Sequence, residues 1–327
     1  MTHRNSHSSS AGTARWGISL IAIAATVPYL ALKAHWLFGG RIGLNDPEFG
    51  TGTIMLALNA VTAAMEIVAV VLALAFVTAW GRRLPSLLVV APMWVATGLL
   101  GQILITLPIQ LAIGATSEPA VDEHLADPPI ESWVFAVVYA GFAVLGIFLI
   151  AGFALYARER WSASQKWAEG LAEGRRVGPV EFTAFILPIA LAVASTVHLM
   201  TADRADLGRL IGEIIVFTIA AVSAMALALG RPQSLRRWVA IASAFFSSGA
   251  LASWGCYLLV VLLVPKDLTA ENSVTAGAIA MAALKALAGF CCAAVLARAL
   301  DPDGSRHGYG GDHTSSGVQS SRLTTTN

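Results

Sequence analysis

Residues 53–80 read TIMLALNAVTAAMEIVAVVLALAFVTAW, twenty-eight residues interrupted by a single charge, Glu66. About 20 apolar residues in helical form cross the hydrocarbon core of a bilayer, and this run exceeds that length. Seven more stretches have the same character, roughly 16–38, 84–113, 132–157, 180–202, 208–230, 238–264 and 273–299. The longer ones imply tilt or a short interfacial extension. The chain of 327 residues is 56% hydrophobic and 13% charged. A water-soluble domain of that size cannot hide so much apolar surface, so lipid is part of the solvent. The fold expected is all-α: a polytopic bundle of eight transmembrane helices.

Tryptophans stand near the ends of these runs, at Trp16, Trp36, Trp80, Trp133, Trp161 and Trp238. Their amphipathic rings suit the boundary between headgroups and acyl chains. The first run is too long for a cleaved signal peptide. Lys33-Ala34-His35-Trp36 also stands where a small-residue cleavage site is required.

Charge separates the two sides. Alternate connections and the termini hold Arg4, Arg15, Arg82, Arg83, Arg158, Arg160, Lys166, Arg175, Arg176, Arg231, Arg236, Arg237, Arg298, Arg306 and Arg322, against Arg41, Arg204, Arg209 and Lys266 on the opposite side. The opposite connections carry acids instead, with Glu118, Asp122, Glu123, Asp127 and Glu131 in one loop. By the positive-inside rule both termini are cytoplasmic, and the membrane expected is a bacterial plasma membrane. The balance of 21 basic and 20 acidic residues excludes the basic excess of a nucleic-acid binder.

The organisation expected is a disordered tail over 1–15, a first four-helix half over 16–157, a basic linker over 158–179, a second half over 180–300 and a disordered tail over 301–327. Trp161, Trp167 and Leu171 among basic residues suit a helix lying on the membrane surface as well as an ordinary loop. The halves show weak internal likeness. Pro28 and His35 in span 1 parallel Pro188 and His198 in span 5, and Glu66 in span 2 parallels Glu213 in span 6. Arg-Arg pairs precede spans 3 and 7, at Arg82-Arg83 and Arg236-Arg237. With an even number of spans per half, the repeats would run parallel about an axis along the membrane normal.

Charges within spans mark the candidate site, because an isolated one costs about 2.5–3.5 kcal/mol at the centre of a helix. Glu66 shares a small, polar helix face with Asn59, Thr62, Ala63, Ala69 and Ala73. Lys285 lies in a comparable stripe with Gly277, Met281, Gly289 and Cys292. A buried Glu66–Lys285 ion pair joining the halves is the expectation these two stripes raise, with either a substrate-binding or a register-fixing role. Lys33, Asn59, His198 and Glu213 form a second group nearer the acidic side. Lys33 and His35 are about 200° apart around one helix, so only one faces inward. Lys33 is preferred, because it shares its face with Thr26, Tyr29 and Trp36. Glu213 has a local partner one turn away in Arg209, and His198 suits an interhelical hydrogen bond. Ser243, Ser247, Ala250, Trp254 and Tyr257 on span 7, with Gly98, Gln102 and Thr106 on span 3, suit a solute cavity or packing between helices.

Several chemistries lack their motifs. There is no His-Glu-x-x-His zinc helix, no phosphate-binding Gly-x-x-x-x-Gly-Lys-Ser/Thr loop and no Gly-x-Ser-x-Gly elbow. His35 and His198 match a bis-histidine haem in depth alone, and Asp122-Glu123-His124-Leu125-Ala126-Asp127 reads as a solvated acidic loop before it reads as a metal site. Three irregularly spaced cysteines form no disulfide framework. No cofactor and no metal are expected.

The runs Pro28-Tyr29-Leu30-Ala31-Leu32-Lys33-Ala34-His35-Trp36, Leu37-Phe38-Gly39-Gly40, Ala91-Pro92-Met93-Trp94, Tyr139-Ala140-Gly141-Phe142 and Tyr156-Ala157-Arg158-Glu159-Arg160-Trp161 resemble multi-pass integral membrane proteins of high-GC actinobacteria. The resemblance covers most of spans 1–4 and implies a bacterial plasma membrane. That group has no assigned activity, so no functional residue is carried across. The first functional reading is a bundle that binds or moves a small solute through a cavity between its halves. A non-transporting membrane partner or assembly subunit is the second, its protein partner undefined, and an intramembrane enzyme with a site near the acidic side is the third.

Overall fold

The computed structural model describes residues 6–46, 52–115, 129–161, 177–232, 234–263 and 275–300. They form eight α-helices: α1 (Ser6–Leu37), α2 (Thr53–Val77), α3 (Ser86–Ala115), α4 (Ser132–Trp161), α5 (Pro179–Leu199), α6 (Arg204–Leu229), α7 (Arg237–Leu263) and α8 (Ala276–Leu300). Every one is long and apolar enough to cross a membrane, so the protein is an all-α multi-pass membrane bundle. The described residues contain no strand, only an isolated bridge between Leu44 and Ile130. The expected surface helix around Trp167, the acidic loop at 122–127 and the tail at 301–327 lie outside the described residues.

Helix α1 starts at Ser6, ten residues ahead of the apolar run, so much of the stretch expected to be a disordered tail is helical. Extending an existing helix adds one hydrogen bond for each residue fixed, so a polar stretch continues where it would not nucleate. Local chemistry sets other ends. Gly230, at φ 64°, closes α6 in the left-handed conformation. The Glu181 carboxylate accepts the Gly178 N–H at 3.0 Å and caps α5, with Pro179 at its first position. Trp80, Trp133 and Trp238 are exposed near helix ends, and Trp16 is exposed ten residues into α1 where its apolar run begins. Trp36 and Trp161 turn inward instead. The Trp36 indole donates to the Ile42 carbonyl at 2.9 Å, and Trp161 packs edge-on to Phe153 and Tyr156.

Long-range contacts define two faces. The Leu44–Ile130 bridge, with Gly43 against Val134, joins the α1–α2 and α3–α4 connections at what we call the acidic face. At the basic face, Arg15 of α1 pairs with Glu159 of α4 at 2.6 Å, and Arg160 donates to the Leu84 carbonyl at 2.6 Å. Within the first half α1 packs on α2 and α4, α2 on α3 and α4, and α3 on α4. The second half repeats this pattern: α5 on α6 and α8, α6 on α7 and α8, and α7 on α8. Even the basic-face ion pair has a counterpart with its charges exchanged. Glu181 of α5 meets Arg298 of α8 at 2.5 Å.

The halves join through α3, which packs on α7 and α6. Gly98 and Gly249 each lie twelve residues into their helices, and a Cβ at Gly98 would come within 2.2 Å of the Gly249 carbonyl carbon. Backbones this close need glycine on both sides. The Trp94 indole donates to Ser248 Oγ at 2.9 Å, and the Phe246 ring covers Gly101. A second close crossing sets Gly255 against Ala286 and Gly289 against Ala252, fixing α7 to α8. Gly98→Ala is therefore expected to lower folded, monodisperse yield and thermal stability in detergent, by about 1–3 kcal/mol. Gly17→Ala, which enters open space, leaves both unchanged.

Candidate functional site

The inward stripe expected on α2 is present. Asn59 and Glu66 are 7% and 6% exposed, Ala69 and Ala73 are buried, and Val61, Met65, Ile67, Val68 and Val71 face outward. Helix α1 supplies the facing groups. Lys33, 8% exposed, donates from Nζ to Asn59 Oδ1 at 2.6 Å. The ammonium also lies 4.9 Å from the Tyr29 ring centroid and 5.1 Å from that of Trp36, where the ring quadrupoles attract a cation. The Tyr29 phenol meets the Thr62 hydroxyl and lies within electrostatic reach of Glu66 and of Tyr257 on α7. A file of polar groups thus runs from Trp36 near the acidic face, through Lys33, Asn59, Thr62 and Tyr29, to Glu66 at mid-depth. There it stops. Below Glu66 the α2 face continues with Ala69, Leu72, Ala73 and Phe76, all buried.

Two charges in this file lack counter-charges. Glu66 Oε2 is buried with no hydrogen-bond partner, and Lys33 has only the neutral Asn59 oxygen and the two ring faces. Neither joins an ion pair among the described residues.

The second half resolves its charges differently. Lys285 Nζ donates to Glu213 Oε1 at 2.8 Å and lies 5.6 Å from the Phe217 ring centroid. The same carboxylate oxygen takes Arg209 at 3.3 Å, and Arg209 in turn holds Asp206 at 2.9 Å. Four alternating charges therefore run inward along α6 and end on α8. The expected Glu66–Lys285 pair is not formed, for a reason of depth and position. Glu213 and Lys285 each stand nine residues from the acidic-face end of their helices, whereas Glu66 stands thirteen residues in and belongs to the other half.

His198 is exposed on α5 and joins neither cluster. Its position also removes the bis-histidine arrangement, since His35 packs its ring against Gly40. No group of three or more metal-ligating side chains occurs among the described residues. On α7, Ser247 is fully buried and donates to the Ser243 carbonyl at 2.8 Å, so it serves packing. Trp254 Nε1 is buried without a partner, and its ring meets Tyr257 edge-on at 5.5 Å.

The basic-face end of the first half is closed. Tyr156 donates to the Gly81 carbonyl at 2.8 Å, and Arg160 reaches both Tyr156 and the Leu84 carbonyl. Arg15 bonds both Glu159 and the Phe76 carbonyl, tying α1, α2 and α4 together. Phe76, Phe153, Tyr156 and Trp161 pack beneath these bonds. Sequence reading missed this seal, whose parts look like ordinary basic-side residues until their carbonyl partners are known.

No protein-family profile matches the chain, and no curated protein or solved structure is significantly similar to it.

Breaking a buried ion pair from one side leaves an uncompensated charge, at a cost on the order of 3 kcal/mol. Lys285→Met and Glu213→Gln are each expected to lower the unfolding temperature in detergent, and the double variant to recover much of the loss. Glu66→Gln combined with Lys285→Met should give no such recovery.

Proposed function

We propose that this protein binds a small solute from its acidic face, within the first half, and moves it across the membrane with Glu66 as the binding group at the bottom of the site. The observation that carries this reading is Glu66 itself: a carboxyl side chain in a membrane span, 6% exposed, with an oxygen that has no partner. Burying such a group is costly, and chains keep one where it receives something. The file from Trp36 to Glu66 supports access from one side, and the seal of Arg15, Glu159, Tyr156 and Arg160 supports closure on the other. Alternating access would open that seal in turn. The site then lies inside one half. At their centre the halves meet at the Gly98–Gly249 contact, and between them at the acidic face lies a cavity of about 150 Å³ lined by Gln110, Ile113, Gly114, Arg204, Ala205 and Gly208.

In this reading the acidic face is extracellular and the basic face cytoplasmic in a bacterial plasma membrane, by the bias of arginine and lysine between the two sides. The likeness to actinobacterial membrane proteins supports the same setting.

Accessibility tests the proposal. In a background with Cys256, Cys291 and Cys292 replaced, Glu66→Cys in sealed vesicles should react with a small membrane-impermeant thiol reagent added from the acidic face. Ala73→Cys, two turns deeper, should react at least about tenfold more slowly. Equal protection of both positions from both sides would overturn the reading.

A further inference from the structure

Resting on that reading, we infer that the solute is a small zwitterion, held with its anionic group at Lys33 and its cationic group at Glu66. Among the described residues, Lys285 meets Glu213, Arg15 meets Glu159 and Arg298 meets Glu181, while Arg160 and Arg237 at the basic face are held by backbone carbonyls. Deeper in the spans, Lys33 on α1 and Glu66 on α2 are both buried with no opposite charge, on two helices that pack together.

Their geometry suits a bridging molecule. Asn59, which holds the Lys33 ammonium, lies two turns from Glu66 on one face of α2, about 10 Å along the axis. Helical side chains lean toward their own N-terminus. Helix α1 runs toward the acidic face, so Lys33 leans inward, and its ammonium lies over Tyr29 one turn back. Helix α2 starts at the acidic face, so Glu66 leans outward. With the Lys33 ammonium held at Asn59, the span to be bridged to Glu66 is set by those two turns of α2, about 10 Å along the axis.

Net charge then selects the ligand. An amine bound at Glu66 would leave Lys33 as an unmatched cation in hydrocarbon, and a simple carboxylate at Lys33 would leave Glu66 unmatched. A molecule carrying both groups satisfies both side chains and adds no net charge to the membrane interior. Tyr29 and Trp36, which now flank the Lys33 ammonium, supply ring faces beside the site. The Thr62 hydroxyl lies between the two charges.

The test is equilibrium binding to the purified full-length protein in lipid nanodiscs. The probes are glycine, β-alanine, γ-aminobutyrate and ε-aminocaproate, each compared with the alkylamine and the carboxylate of equal chain length. At least one amino acid should bind on the order of tenfold or more tightly than either single-charge analogue, the scale of one lost charge-assisted contact. Lys33→Met should erase the preference for the amino acid over the amine, and Glu66→Gln its preference over the carboxylate. The comparison within the parent protein decides the matter even where a variant fails to fold. Amines binding as tightly as amino acids, or no amino acid binding at all, would overturn the zwitterion. Reaction at Glu66→Cys from the acidic face would still uphold the solute site, whereas protection there removes both.

Discussion

Hydrocarbon offers no partner to a charge or a peptide group, and the structure of this protein follows from that absence. Helices satisfy the backbone within each span. The ionisable side chains left in the spans must find partners at their own depth, which is what Lys285 does with Glu213. Where the match fails, at Lys33 and Glu66, the chain keeps two costly groups buried on neighbouring helices. Their burial in the interior of a four-helix half is the physical ground on which the proposed function rests.

The two halves pack their helices in the same pairwise pattern, and their basic-face ion pairs mirror one another with the charges exchanged. The proline, glutamate and arginine positions that raised the expectation of a duplication lie on helices with matching places in this pattern. The halves differ in what they do with polar groups. The second ties its charges into a continuous chain from Asp206 to Lys285. The first leaves its charges unmatched above an aromatic, hydrogen-bonded seal.

Much of the site was legible on single helices. The face joining Asn59 and Glu66, and the choice of Lys33 over His35 as the inward residue, follow from helical periodicity and are realised. Periodicity fails across helices. It ranks which side of α2 is buried, but it carries no information on which helix lies opposite. Glu66 and Lys285 looked like natural partners because both are charged and both sit within spans. Glu213 took Lys285 because α6 packs on α8 at the same level. His198 shows the same limit, since a polar residue near a helix end is equally compatible with an interior and an exposed position.

Composition and apolar run length determined, without further help, that the chain is an eight-helix membrane bundle, because the thickness of the bilayer converts directly into residues per helix. Local rules also determined the polar stripe of α2 and the exposed tryptophans at three of the helix ends. Only the tertiary structure decided that the halves meet at Gly98 and Gly249, that Lys285 pairs within the second half, and that Glu66 and Lys33 meet no opposite charge among the described residues. Those outcomes depend on which helices touch and at what depth, and contacts between distant parts of a chain leave no periodic trace in its sequence.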